Sequence, residues 1–417
     1  MKTLYLKAIS LILLVCCGGI FATSISAANY ITINGVVKDK QTNKKLEYVT
    51  ISVAGTSIGT VTNEDGVFSI KVNDSLQVNT IEFSHIGYSK QTLPIAQSDM
   101  ETVTVYMTPN VHMLRDVIIE VMNPRLLVES AIRKIKDNNS STENMFTGFY
   151  RETIRKRRNY INISEAITHI YKTPYTEDIT RDKVQIFKGR QLLSPKAGDT
   201  LIVKLQGGPN LSTFVDIVKN PDLILDPASL ADYKFAMEES AMINEKPHYV
   251  VSFKPQRVYP YPLHYGKLYI DKETLAFSRA EFSLSMDDDN KATRAILRKK
   301  PFNLRFKPQE VSFFVTYKQE NGKSYLNYIR NEVRFKCDWK RRLFSTGYTI
   351  VSEMVMTDRQ EENVAKIPNK LAFNEKQILS DKVSNFYDAN FWEDYNIIEP
   401  TESLENAVNK LKKRHNQ

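Results

Sequence analysis

Asn63-Glu64-Asp65-Gly66-Val67-Phe68-Ser69-Ile70-Lys71-Val72 reads as a tight turn feeding a strand. Asn63 and Asp65 are turn formers, and Gly66 supplies a position of positive φ at no steric cost. Phe68, Ile70 and Val72 then alternate with Ser69 and Lys71, which leaves one face of the segment apolar. The same period of two recurs on either side. Val49, Ile51 and Val53 alternate with Thr50 and Ser52, Ile81 and Phe83 flank Glu82, and Val103, Val105 and Met107 alternate with Thr104 and Tyr106. Turn residues at Asp39–Asn43 and Asn73–Ser75 separate the runs. This spacing between residues 30 and 108 predicts an antiparallel β-sandwich of about seven strands.

The whole chain has 417 residues, 42% of them hydrophobic and 25% charged, so it can bury a sizeable core and is not disordered throughout. With 15 Gly and 16 Pro it is neither collagen-like nor of low complexity. The 21 Tyr and 20 Phe against 2 Trp lean towards pleated structure.

Residues 1–28 read as a signal peptide, with Lys2 and Lys7 ahead of an apolar run, Ala8 to Ile20, and small residues Ser26-Ala27-Ala28 before a cleavage point at Asn29. Its removal lowers the net charge from +9 to +7. Cys16 and Cys17 leave with it, so Cys337 remains as the only thiol and no intramolecular disulfide can form. Val15 before Cys16 is a poor context for a lipidated cysteine. No later apolar run is long enough for a transmembrane segment in the mature chain. The expected location is the periplasm or the periplasmic face of the outer membrane.

Gly35-Val36-Val37-Lys38-Asp39, Val49-Thr50-Ile51-Ser52-Val53, Gly59 to Ile70 and Ile81-Glu82-Phe83-Ser84-His85-Ile86-Gly87-Tyr88 together resemble the carboxypeptidase regulatory-like (transthyretin-like) domain of Bacteroidetes envelope proteins. In that family the domain often precedes the plug and barrel of a TonB-dependent receptor. Glu47 departs from the family's usual proline. The resemblance implies a structural or interaction module over residues 29–109, not a peptidase, and no His in the chain is followed by Glu three residues later. Residues 110–417 are too few for a plug and a barrel of about 22 strands, so the receptor reading is rejected.

Residues 110–140 read as a connector. Leu114 to Val121 forms a strand, and Asn123-Pro124 starts a helix with Leu127, Val128, Ala131, Ile132 and Ile135 on one face. Residues 141–417 read as an α+β domain with a large antiparallel sheet and flanking helices. Hairpins are expected at Phe149–Ala166 and Gly266–Phe282, strands at Tyr233–Met237, Tyr249–Phe253, Val311–Tyr317, Tyr325–Val333 and Thr346–Val351, and helices at Leu211–Val218 and from Glu402 to Arg414. Tyr249–Phe253 and Gly266–Thr274 are similar to the lipoprotein-carrier (LolA-like) and RseB-like folds, which implies an incomplete antiparallel barrel covered by helices. Phe149-Tyr150-Arg151-Glu152 and Phe391–Pro400 resemble an uncharacterised Bacteroidetes family that pairs the sandwich with such a domain.

No nucleophile elbow, zinc-protease pair, phosphate loop or dinucleotide fingerprint is present. His85, His112, His169, His248, His264 and His415 show no metal-ligand spacing, and Asn63 with Asp65 reads as turn chemistry rather than a calcium site. Asp287-Asp288-Asp289-Asn290 reads as a solvated loop, and Cys337 as a buried structural thiol. Glu152 and Glu165 fall on adjacent strands and could form a carboxylate pair for glycoside hydrolysis only if they share a face. The basic runs Arg155–Arg158, Arg298–Lys300, Lys340–Arg342 and Lys412–Arg414 read as solvated turns and helix ends; export excludes nucleic acid as their partner. No catalytic, cofactor or metal residue is assigned. The expected function is an exported, non-enzymatic envelope protein that binds an envelope partner or a lipid or lipoprotein ligand. The alternative is a hydrolase of envelope glycans or peptides.

Overall fold

The computed structural model describes residues 30–76, 78–95, 100–110, 123–199, 201, 203–205, 207–339, 344–373, 379, 384–385 and 391–415. The signal peptide, the strand expected at Leu114–Val121 and the basic run Lys340–Arg342 lie outside them.

The N-terminal alternation forms seven strands: β1 (Tyr30–Asp39), β2 (Thr50–Val53), β3 (Gly59–Val61), β4 (Val67–Asn73), β5 (Thr80–Ser84), β6 (Gln91–Pro94) and β7 (Met100–Met107). They make two sheets, ordered β4-β1-β7 and β3-β2-β5-β6. Ile33, Val37, Ile51, Phe68, Ile70, Ile81 and Phe83 fill the space between, with Phe68 edge-on to Phe83 at 5.3 Å. Gly66 has φ +68° and its carbonyl accepts from the Val37 N–H at 2.8 Å. Gly35 is required for a different reason: a Cβ there would sit 2.5 Å from the Val103 carbonyl oxygen. One pairing departs from the antiparallel expectation. β7 runs parallel to β1, because the chain returns to the first sheet only after crossing to the second. Side-chain alternation reports which face a residue takes and carries no information about strand direction.

Helix α1 (Pro124–Arg133) is capped by Asn123, whose side chain accepts from the Arg125 and Leu126 N–H groups. Its buried Leu127, Val128 and Ala131 pack into the core of the second unit with Phe146 and Tyr150, and a short helix α2 (Ile135–Asn138) follows. The sheet itself is built from β8 (Asn144–Lys156), β9 (Asn159–Lys172), β10 (Lys183–Leu193), β12 (Tyr233–Ile243), β13 (Lys246–Pro255), β14 (His264–Asp271), β15 (Phe277–Leu284), β17 (Leu304–Glu320), β18 (Lys323–Trp339) and β19 (Thr346–Gln360). Their order is β12-β13-β14-β15-β17-β18-β19-β8-β9-β10, all antiparallel, with β20 (Ser384–Asn385) added parallel at the edge. A separate two-stranded strap pairs β11 (Lys204–Leu205) with β16 (Leu297–Lys299).

Two local expectations are corrected. The helix expected at Leu211–Val218 is α3 (Pro209–Phe214) and stops there. The chain turns because Asp216 must reach the interior, where it accepts from Lys172 Nζ at 2.9 Å and the Tyr317 hydroxyl at 2.8 Å. Val215, Ile217 and Val218 are buried by that turn, not by a helix face. Asp287–Asn290 is not simply a loop: Asp288 caps α4 (Asp289–Ile296), accepting from the Asn290 and Lys291 N–H groups. The C-terminal helix is found as α5 (Glu402–His415), with Leu404 and Leu411 buried.

The sandwich sits on the outer face of the large sheet, and Phe391–Pro400 fills the seam. Thr60 Oγ1 donates to the Ile397 carbonyl at 2.9 Å, Asn63 Nδ2 to those of Glu399 and Pro400, and Asn396 pairs with both backbone groups of Lys71. Trp392 and Ile398 are buried with Val61 from the sandwich and Phe149, Ile167, Tyr328 and Val355 from the sheet. Beneath them runs a ladder of alternating charge across five neighbouring strands: Arg330, Glu353, Arg151, Glu165, Arg190. Arg151 Nε donates to Glu165 at 2.7 Å and Arg190 Nε to the same carboxylate at 2.8 Å, while Arg151 Nη2 donates to the Ile398 carbonyl.

Candidate functional site

The other face of those five strands is mostly apolar, as burial against a covering layer requires. Val333, Ile350 and Ile154 form one cross-strand row, and Ile329, Met354, Tyr150 and Ala166 form another four residues away along each shared strand. Between them lies a polar row in direct cross-strand register: Asn331, Ser352, Glu152, Ser164 and Gln191. Polar side chains between two apolar rows are costly to bury unless something satisfies them.

A cavity of about 840 Å³ stands over this row. Ile154, Ile161, Leu193, Val311, Phe313, Val333 and Ile350 line it from the sheet side. Leu205, Phe214 and Val215 cover it together with Ala295 and Ile296 of α4, and Phe373 and Leu379. The volume lies within the range of small-molecule sites, roughly 300–1,000 Å³. A larger hollow, about 1120 Å³, lies on the outer face beside the sandwich and is lined by mixed charges, among them Lys234, Lys254, Lys267, Glu238 and Glu281. The inner cavity is the better site, because its walls are apolar and its polar groups converge on one strip.

Glu152 is deep in the unit, yet its carboxyl meets open space where it borders the cavity. Burial raises its pKa above the ordinary value, and the hydrogen bond it accepts from the Tyr150 hydroxyl at 3.0 Å opposes that only in part. No cation pairs with it among the described residues. A Cβ on Gly207 would come within 3.6 Å of Glu152 Oε2, so the backbone of Gly207-Gly208 passes close over the carboxyl, with Gly208 at φ +96°. Asn331 is 6% exposed, and its Oδ1 has no hydrogen-bond partner. His264 borders the cavity as well; burial pushes its pKa down to about 4, so it stands there as a neutral ring.

Glu152 and Glu165 do not form a dyad. Arg151 pairs with Glu165 across β8 and β9, so Glu152, the next residue, points to the opposite face. Burial pushes Glu165 up, but the charges of Arg151 and Arg190 and their hydrogen bonds outweigh it and hold Glu165 below its usual value. A glycosidase needs both carboxyls in one cleft. Asn63 serves its turn, its Oδ1 accepting from the Asp65 and Val67 N–H groups at 2.9 Å, and Asp65 Oδ2 accepts from the Glu402 N–H at the start of α5. Among the described residues no three His, Cys, Asp or Glu side chains are grouped to hold a metal ion. Cys337 is buried, and burial, helped by Asp338, pushes its thiol up to about 11, which keeps it unreactive. Of the basic runs, Arg298 lies at the cavity and Lys156 pairs with Asp199 at 3.5 Å.

The sequence reading reached Glu152 but missed Asn331, Ser352 and Gln191. The signal was present as a polar residue at an inward position in each of three apolar alternations: Ile329-Asn331-Val333, Ile350-Ser352-Met354 and Tyr150-Glu152-Ile154.

Comparison with known proteins defines the N-terminal unit first. Residues 33–119 match the CarboxypepD_reg-like domain family. Over 85 residues the chain is 38% identical to the TonB-dependent receptor SusC of Bacteroides thetaiotaomicron; the match covers 20% of this chain and only 8% of that receptor's length. Two solved structures align with more of the chain, each at a TM-score of 0.26. A DUF1329 family protein from Desulfovibrio piger, 11% identical, aligns over 59% of this chain and 96% of its own. An outer membrane lipoprotein-sorting protein domain from Vibrio parahaemolyticus, 13% identical, aligns over 58% and 95%. Among the described residues no helix is long and apolar enough to cross a membrane.

Proposed function

We propose that this is an exported, non-enzymatic protein of the bacterial cell envelope that binds an apolar or amphiphilic ligand between the large sheet and its cover. The cavity over the inner face carries this reading. Apolar walls of that volume would be filled by side chains if their only role were packing. The leader-like residues 1–28 and the likeness of the sandwich to part of an envelope receptor support the compartment. The sandwich is the interaction module, held against the outer face and clear of the cavity.

The test is saturable uptake of a fluorescent apolar probe by the purified protein, compared with Ala295→Trp, which fills the cavity from α4 without adding charge. Binding by the parent, lost in an Ala295→Trp protein of unchanged melting temperature, is the expected result. Uptake that Ala295→Trp leaves intact sinks the proposal. A hydrolase reading gains nothing from the separated carboxylates.

A further inference from the structure

The polar strip under the cavity is unusual in its chemistry. It sets one carboxyl, Glu152, among amides and hydroxyls, with no cation in the row. The Asn331 Oδ1 is unpartnered, and the Glu152 carboxyl receives one hydrogen bond, from Tyr150. Ser164 Oγ and Gln191 Nε2, the donors at the far end, are already spent on Asn162 Oδ1 at 3.0 and 3.2 Å. Asn331 and Glu152 stand on either side of Ser352 in one cross-strand row, two strand spacings apart, roughly 10 Å at the backbone. Side chains from both ends can close on a single small group between them. Lys204 and Arg298, the cationic side chains that line the cavity, are exposed and belong to the β11–β16 strap in the cover, not to the floor.

Building on the ligand-binding reading above, we infer that the Glu152–Ser352–Asn331 strip is a headgroup site that selects amphiphiles whose polar end donates hydrogen bonds, an alkylammonium being the simplest, with the alkyl chain lying against Ile154, Val333 and Ile350. An ammonium carries a positive charge and three donors, which matches the Glu152 carboxyl and the Asn331 Oδ1. It would supply the partner that Asn331 Oδ1 lacks and the counter-charge that Glu152 lacks. A carboxylate head brings a second negative charge beside Glu152 and is disfavoured there. The net positive charge, +9 with residues 1–28 and +7 without them, acts the other way and attracts anionic amphiphiles to the surface, so a preference for the cation can arise only locally.

The experiment is displacement of a bound fluorescent apolar probe from the full-length protein by dodecylammonium, dodecanol and dodecanoate. Dodecylammonium is expected to displace at about tenfold lower concentration than dodecanoate, the scale of one good charge-assisted hydrogen bond. In Glu152→Gln and in Asn331→Leu, each checked for an unchanged melting temperature, that preference should shrink to about threefold or less, with dodecanol displacement changing less than dodecylammonium displacement. Equal or better displacement by dodecanoate overturns the headgroup assignment and points to the strap residues instead. So does an ammonium preference that survives both substitutions. In both cases probe binding itself still stands. Failure of the probe to bind at all overturns the cavity reading and the headgroup site together.

Discussion

The two faces of the same five strands carry two polar rows, offset by one residue in each strand. Outward, Arg330, Glu353, Arg151, Glu165 and Arg190 alternate in sign; inward, Asn331, Ser352, Glu152, Ser164 and Gln191 carry one ionisable group among amides and hydroxyls. Both rows place a carboxylate away from bulk water, and the two respond in opposite directions. Glu165, between two guanidinium groups, is held below its usual pKa, and Glu152, with a single phenol, is raised above it. Burial is common to both, so the partners decide. Paired charge on one face fastens the sandwich and the seam. Unpaired polarity on the other face borders empty space. A polar group kept without a partner beside a cavity costs stability and makes sense as a ligand contact.

That contrast can be broken most sharply at Arg151. Arg151→Met removes one of two counter-charges from buried Glu165 and unhooks the Ile398 carbonyl. A loss of about 3–5 kcal/mol in urea unfolding is expected, as for a broken buried ion pair. A loss below about 1 kcal/mol would show that the ladder is not what holds this face.

The pH dependence separates the two carboxylates by sign. Glu165 titrates below the ordinary 4.5, so the stability it lends is present above 4.5 and drains away as pH falls through its lowered value. Glu152 titrates above 4.5, so the fold favours its protonated form; that contribution is present below 4.5 and is lost as pH rises through its raised value. Glu165→Gln should therefore destabilise at neutral pH by an amount that shrinks as the solution is acidified. Glu152→Gln should be stabilising at neutral pH and nearly silent in acid. Urea midpoints across pH for both variants check this, and curves of the same sign contradict it.

A smaller effect belongs to the seam. Asn63→Ala removes the acceptor of the Asp65 and Val67 N–H groups and the donor to Glu399 and Pro400, with an expected cost of about 2 kcal/mol. The smallest is Glu152→Gln itself at neutral pH, within about 1 kcal/mol, because the isosteric amide keeps an acceptor for Tyr150 and needs no counter-charge. A large loss there would mean that Glu152 serves packing and not a ligand.

The sandwich was legible because its signals are local. Asn63, Gly66 and the Phe68–Val72 alternation specify a turn and a strand within ten residues of chain, and the family resemblance rests on the same stretch. The parallel pairing of β7 was not legible, since it depends on the path between sheets. The end of α3 was hidden for a similar reason: Phe214 is followed by a turn because Asp216 meets Lys172, 44 residues away in sequence. Glu152 and Glu165 could be singled out by residue type, but their faces follow from the register of β8 on β9. The polar strip needed three such registers at once. Each of Asn331, Ser352 and Glu152 read alone is an ordinary polar residue in a strand.

The seam at Phe391–Pro400 also sets an order of events. Asn63 contacts Pro400 across 337 residues of chain, so the sandwich emerges, in synthesis or in export, well before its cover does. Its own core can form in that interval, while Thr60, Asn63 and the Lys71 backbone wait without the groups they finally bind. Closure of so long a loop comes late in assembly. For a newly made chain, the edge that ends up sealed is for a time the most open part of the sandwich, and any chaperone that attends this protein would meet it there first.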